Sequence, residues 1–150
     1  SFQSPMDDVA EQCIFIDHDT DAKGMVNVAL VNRKFDNGKG LGVYLSYPEK
    51  ELPFYTQWKM MGKGEYVVGM EPGNCLPEGR SSARKRGVLQ FLQPGQKLTF
   101  HLEVGVLPSN HEISLGLIFF FTANNATNQA MVAINVLLSV KSVPSGKPVQ

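Results

Sequence analysis

Glu71 stands where an apolar run, Tyr66-Val67-Val68-Gly69-Met70, gives way to Pro72-Gly73-Asn74-Cys75-Leu76-Pro77-Glu78-Gly79-Arg80, a stretch rich in turn formers. A carboxylate carried by a strand to a polar loop is a candidate proton-transfer group, because acid–base chemistry needs a titratable side chain on a rigid support. The same spacing fits a solvated charge that caps a strand. Trp58 is the only tryptophan, and Gln57 and Lys59 flank it. An indole face is a platform for the apolar face of a sugar ring, and amide and ammonium groups bond its hydroxyls. A core position is the other reading of a large aromatic.

Other clusters carry less chemistry. Asp17, Asp19 and Asp21 alternate ahead of Gly24, but an EF-hand loop needs glycine sixth and an acid twelfth, where Ala22 and Val28 stand, so a solvated acidic turn is expected. Arg80-Ser81-Ser82-Ala83-Arg84-Lys85-Arg86 is basic without interleaved aromatics and reads as a solvated loop. Gly38-Lys39-Gly40-Leu41-Gly42 has the spacing of neither nucleotide-binding glycine motif. No metal site is expected: Cys13 and Cys75, the only cysteines, have no zinc-ligand spacing and read as thiols of a reducing cytosol.

The elements that must position these residues read as strands. Cys13–Ile16 is β-rich, and Val26, Val28 and Leu30 alternate with polar or small residues. Asp36-Asn37-Gly38 signals a hairpin, with Leu41–Tyr47 as its return strand. Phe54–Met60, Tyr66–Met70, Val88–Leu92 and Leu98–Val106 complete the series, and no amphipathic helix is evident. Short strands between turns predict an all-β protein, an antiparallel β-sandwich or barrel. Ile113–Val140 holds no charged residue; its polar centre, Thr122–Gln129, divides it into two pieces too short for a membrane span, and two buried strands are expected. Asn125-Ala126-Thr127 is formally a glycosylation sequon. The residues from Lys141 read as a loose, disordered end.

The 150 residues hold 14 Lys plus Arg against 14 Asp plus Glu, so no global field attracts nucleic acid or an anionic membrane. An apolar fraction of 43% is that of a globular chain. Ser1 begins it without a basic-then-apolar leader, and a cytoplasmic setting is expected.

Three ordered segments go further. Leu52–Met60, Glu65–Pro72, and Leu76–Arg80 followed by Gly87-Val88-Leu89 and Leu92–Gln96 resemble the C-terminal half of an aldose 1-epimerase-like protein of the galactose mutarotase superfamily, in its DUF4432 branch. Ala10-Glu11-Gln12 and Asp17-His18-Asp19 share the resemblance, which spans about Pro5 to Leu107. It implies part of a large antiparallel β-sandwich, over residues 1–112, whose concave face holds a sugar, with 113–150 as an atypical apolar tail. It implies Glu71 as the general base on the anomeric hydroxyl, and Trp58, Gln57, Lys59, Asn74 and Arg80 as sugar contacts. No cofactor is implied. The family's general acid, a histidine, has no counterpart in His18, His101 or His111, so the chain is expected to be a piece lacking half of the active site. Two rival expectations are a non-catalytic sugar-binding sandwich and a structural piece that self-associates through open sheet edges.

Overall fold

A computed structural model of the protein describes residues 2–115, and the backbone of 119–122, 131–134 and 140–142. The elements are β1 (Gln12–Phe15), β2 (Met25–Asn32), α1 (Phe35–Gly38), β3 (Leu41–Pro48), β4 (Phe54–Gly62), β5 (Glu65–Gly73), α2 (Arg80–Lys85), β6 (Gln90–Leu92), β7 (Glu103–Leu107), α3 (Asn110–Leu115), β8 (Phe119–Thr122), β9 (Met131–Ile134) and β10 (Val140–Ser142). Among the described residues the strands form one sheet in the order β1-β4-β5-β9, a second in the order β7-β3-β2-β8, and a small pair, β10-β6. The body strands pair antiparallel, while β8 joins β2, and β9 joins β5, in parallel.

The alternation in the sequence explains the packing. Val26, Val28 and Leu30 of β2, with Leu45 and Tyr47 of β3, meet Tyr55 and Met61 of β4 and Tyr66, Val68 and Met70 of β5 in one core. Leu45 and Met70 have 0% exposure; burying such a side chain stabilises by about 1.5–3 kcal/mol. The architecture is therefore an all-β sandwich, as expected. β2 is buried on both faces, because Ala29 and Val31 pack against Ile113 of α3.

The Asn-Gly turn also forms where expected. Asp36 and Asn37 take φ 45° and 56°, and β2 and β3 pair from Asn32 opposite Leu41 to Met25 opposite Pro48. Asn110 ties this turn to α3, its side-chain amide donating to the carbonyls of Arg33 at 3.0 Å and Gly38 at 2.8 Å. The acidic turn is held by Asp21, whose carboxylate accepts the backbone N–H of Lys23 at 2.8 Å and of Met25 at 3.0 Å; these bonds, the one to Met25 foremost, lower its pKa.

Several expectations are corrected. Leu98–Leu102 is not strand; pairing with β3 begins only at Glu103, opposite Ser46. The basic cluster is not all loop, since Arg80–Lys85 form the short helix α2 around a buried Ala83. The strand expected from Ile113 starts at Phe119, and Ile113–Leu115 belong to α3. There the hydroxyl of Ser109 accepts the N–H of Glu112 at 3.2 Å, half of a capping box that holds the helix start. The anticipated boundary at 112/113 falls inside α3. The sequon and residues 143–150 lie outside the described residues. No helix among the described residues is long and apolar enough to cross a membrane.

Candidate functional site

β5 carries Glu71 further than the sequence suggests. The strand continues through Pro72 to Gly73, so the carboxylate rises from within the sheet and not from its end. Strand parity then decides its company. Tyr66, Val68 and Met70 face the inter-sheet core, so Val67, Gly69 and Glu71 face away from it. On β4, Gly69 stands opposite Trp58, and Glu71 opposite Thr56. On β1, Cys13 stands opposite Trp58, and Phe15 opposite Thr56. Two rows thus run across the outer face: Cys13, Trp58, Gly69, and beside it Phe15, Thr56, Glu71.

The glycine makes the site possible. A Cβ at Gly69 would lie 2.5 Å from Glu71 Oε1, 3.2 Å from its Cδ and 3.3 Å from Trp58 Cβ. The Glu71 carboxylate therefore folds back over the bare Cα of Gly69 and rests beside Trp58. Glu71 is 9% exposed. The indole N–H of Trp58 donates to Glu11 Oε2 at 2.8 Å, which brings a second carboxylate to the same face. Burial, then the charges of Glu11 and Glu71, raise the pKa of the Cys13 thiol, so both carboxylates act on this row. Thr56 is fully buried, and its hydroxyl has no hydrogen-bond partner among the described residues.

The structure separates the other anticipated contacts. Gln57 stands opposite Met70 and Lys59 opposite Val68, both on the core side of the sheet. Gln57 is buried, and its amide donates to the Gly69 carbonyl at 3.1 Å, bracing β5 from behind. Lys59 turns toward the ring of Phe2, with Nζ 5.7 Å from its centroid. Neither shares a face with Trp58, because adjacent residues of a strand point in opposite directions. Asn74 follows β5 directly; it is buried and donates to Gln90 Oε1 at 3.1 Å, linking the strand end to β6. Arg80 is exposed at the start of α2.

Thr56, Gly69, Glu11 and Cys13 were not anticipated. The readable signal was spacing of two: Thr56 from Trp58, and Gly69 from Glu71. Two cavities lie elsewhere, one beside Lys59 and one of about 120 Å³ around His18, Tyr47 and Tyr55. No group of three or more His, Cys, Asp or Glu among the described residues is placed to hold a metal.

A family model described as a domain of unknown function, DUF4432, matches residues 1–106. The chain belongs to the DUF4432 family. The DUF4432 match takes in Glu11, Cys13, Thr56, Trp58, Gly69 and Glu71, and ends inside β7. No curated protein and no solved structure matches the chain.

Proposed function

We propose that this DUF4432 chain is a carbohydrate-binding, aldose 1-epimerase-like domain in which Glu71 is the general base. The observation that carries the reading is the Glu71 carboxylate lying over Gly69 beside Trp58. Glu71 and Glu11 are acceptors, and a sugar offers hydroxyl donors. The half-buried indole of Trp58 offers a flat apolar surface to a pyranose.

In this scheme Glu71 removes the proton from the anomeric hydroxyl as an acid protonates the ring oxygen. The bond between C1 and the ring oxygen breaks, leaving an aldehyde and a hydroxyl. Rotation about C1–C2 presents the other face, and the hydroxyl adds back while both protons return. Proton transfer suffices for this sequence, and a positioned base contributes about 10²–10⁴-fold.

A second reading, sugar binding without chemistry, is favoured by the placement of the histidines. His18 packs edge-on to Tyr55, with ring centroids 4.7 Å apart at 75°, and burial lowers its pKa. His101 Nδ1 lies 3.0 Å from Glu51, and His111 Nδ1 lies 4.0 Å from Glu112. Their rings thus face Tyr55, Glu51 and Glu112. Anomer-exchange NMR on the intact protein separates the readings. The catalytic reading expects accelerated α/β interconversion that Glu71→Gln removes. Sugar binding with no acceleration supports the second reading; acceleration untouched by Glu71→Gln refutes the base assignment.

A further inference from the structure

We propose that the cavity around Tyr55, between the two four-stranded sheets, binds the head of a small primary ammonium ion. Its volume is about 120 Å³, and its walls include Asp17, His18, Tyr47, Glu49, Phe54 and Tyr55. Liquid water takes about 30 Å³ per molecule, so the space admits about four heavy atoms. A short alkylammonium has that size.

Each sheet supplies one side of it. Tyr47, near the end of β3, stands opposite Val26 of β2, and both belong to the inter-sheet core. Phe54 and Tyr55 open β4 in the other sheet, and Tyr55 packs into the same core. The chain leaving β1 adds a third wall: the N–H of Ile16 donates to the Tyr55 carbonyl at 3.1 Å, which brings Asp17 and His18 to the cavity. After β3, the N–H of Glu49 donates to the Gly24 carbonyl at 3.1 Å and fixes the turn that carries this carboxylate.

The Tyr55 hydroxyl points to a ligand. Tyr55 is 2% exposed, and its hydroxyl has no hydrogen-bond partner among the described residues. A hydroxyl buried in this way forgoes the bonds that water would give it, and a polar guest in the cavity restores them. The charges around it select a cation. Asp17 and Glu49 are exposed where they line the cavity, neither is in an ion pair among the described residues, and no Lys or Arg lines it. Burial lowers the His18 pKa below its ordinary 6.5, against the pull of Asp17 and Asp19, so the ring is neutral at neutral pH. Burial also pushes up the pKa of Tyr47 and of Tyr55, which stay neutral phenols. An ammonium finds carboxylate and phenol oxygens here as acceptors, and aromatic rings whose faces attract a cation. An anion would meet the charges of Asp17 and Glu49. This site does not rest on the sugar reading: Tyr55 packs into the core, whereas Thr56, opposite Glu71, belongs to the other face of β4.

The test is a ¹H–¹⁵N NMR titration of the whole chain with ethylammonium chloride, and with ethanol as its neutral counterpart, ionic strength held constant with sodium chloride. Saturable shifts of the Asp17, His18 and Tyr55 amides are expected with ethylammonium and not with ethanol. A second titrant, Nα-acetyl-lysine methylamide, separates the sources of such a head. Binding tighter than that of ethylammonium assigns it to a lysine side chain, and weaker binding to a free amine; either upholds an ammonium site. Tyr55→Phe removes an unpaired buried hydroxyl, so stability should hold or rise while affinity falls threefold or more. Asp17→Asn combined with Glu49→Gln, both at exposed positions, should weaken binding tenfold or more without unfolding the chain. No saturable shift with ethylammonium overturns the proposal. So do equal shifts with ethanol, or undiminished binding by either variant.

Discussion

Gly105 and Gly69, one in each four-stranded sheet, are each covered by a neighbour's side chain, and the covers differ in kind. Gly105 of β7 stands opposite Tyr44, whose ring lies on the bare Cα while its hydroxyl donates to Glu103 at 2.6 Å. An aromatic ring laid over an edge-strand glycine is a packing device that restores the area the glycine lacks. Gly69 of β5 also stands opposite an aromatic residue, Trp58, yet Trp58 directs its N–H to Glu11 and the Cα is covered by the Glu71 carboxylate. A carboxylate adds little apolar contact, and setting it into a sheet removes it from water. Packing explains the first notch. The second is where the proposed sugar site lies.

The sharpest way to break the contrast is to add a methyl group at each glycine. Gly105→Ala drives a Cβ into the Tyr44 ring and should lower stability by about 1–3 kcal/mol, read as a urea-midpoint shift. Gly69→Ala meets the far end of a flexible side chain, so Glu71 swings aside and stability should change by no more than about 1 kcal/mol. Sugar affinity should nevertheless fall tenfold or more, about 1.4 kcal/mol. A Gly69→Ala chain that binds sugar normally would make this notch a packing device as well.

The aromatic partners sharpen the comparison. Tyr44→Phe and Trp58→Phe each delete one side-chain hydrogen bond to a carboxylate. Only Trp58→Phe should also weaken sugar binding; an equal loss in Tyr44→Phe would erase the distinction. The smallest effect is a pH dependence. The hydrogen bond to Glu103 raises the Tyr44 pKa above its ordinary 10.0. A raised pKa contributes stability below pH 10 that disappears as pH climbs through the folded-state value. Melting temperatures between pH 9 and 11 should show this decline in the native chain, with part of it gone in Tyr44→Phe.

Much of the sandwich was legible because its strands carry strict period-two patterns and an Asn-Gly turn with positive φ. Glu71 and Trp58 were legible as residue types, and the structure sets them on one face. Gln57 and Lys59 were grouped with Trp58 by adjacency, although adjacency on a strand means opposite faces. Gly69 was legible only as a position two residues from Glu71, because its contribution is a missing side chain. The helix α3 was signalled by Ser109-x-x-Glu112, but the apolar residues from Ile113 onward dominated the pattern. Leu98–Leu102 alternates like a strand without pairing, since period two records which side faces apolar surroundings and not which strand lies alongside.

The most direct test is a ¹H–¹⁵N NMR titration of the protein with an aldose, following the Gly69 amide, the Trp58 indole N–H and the Gly105 amide. The Gly69 and Trp58 signals should shift together and saturate, Gly105 should stay still, and Glu71→Gln should suppress both responses. Shifts that leave Gly69 and Trp58 unmoved, or that persist unchanged in Glu71→Gln, would contradict a sugar site at this notch.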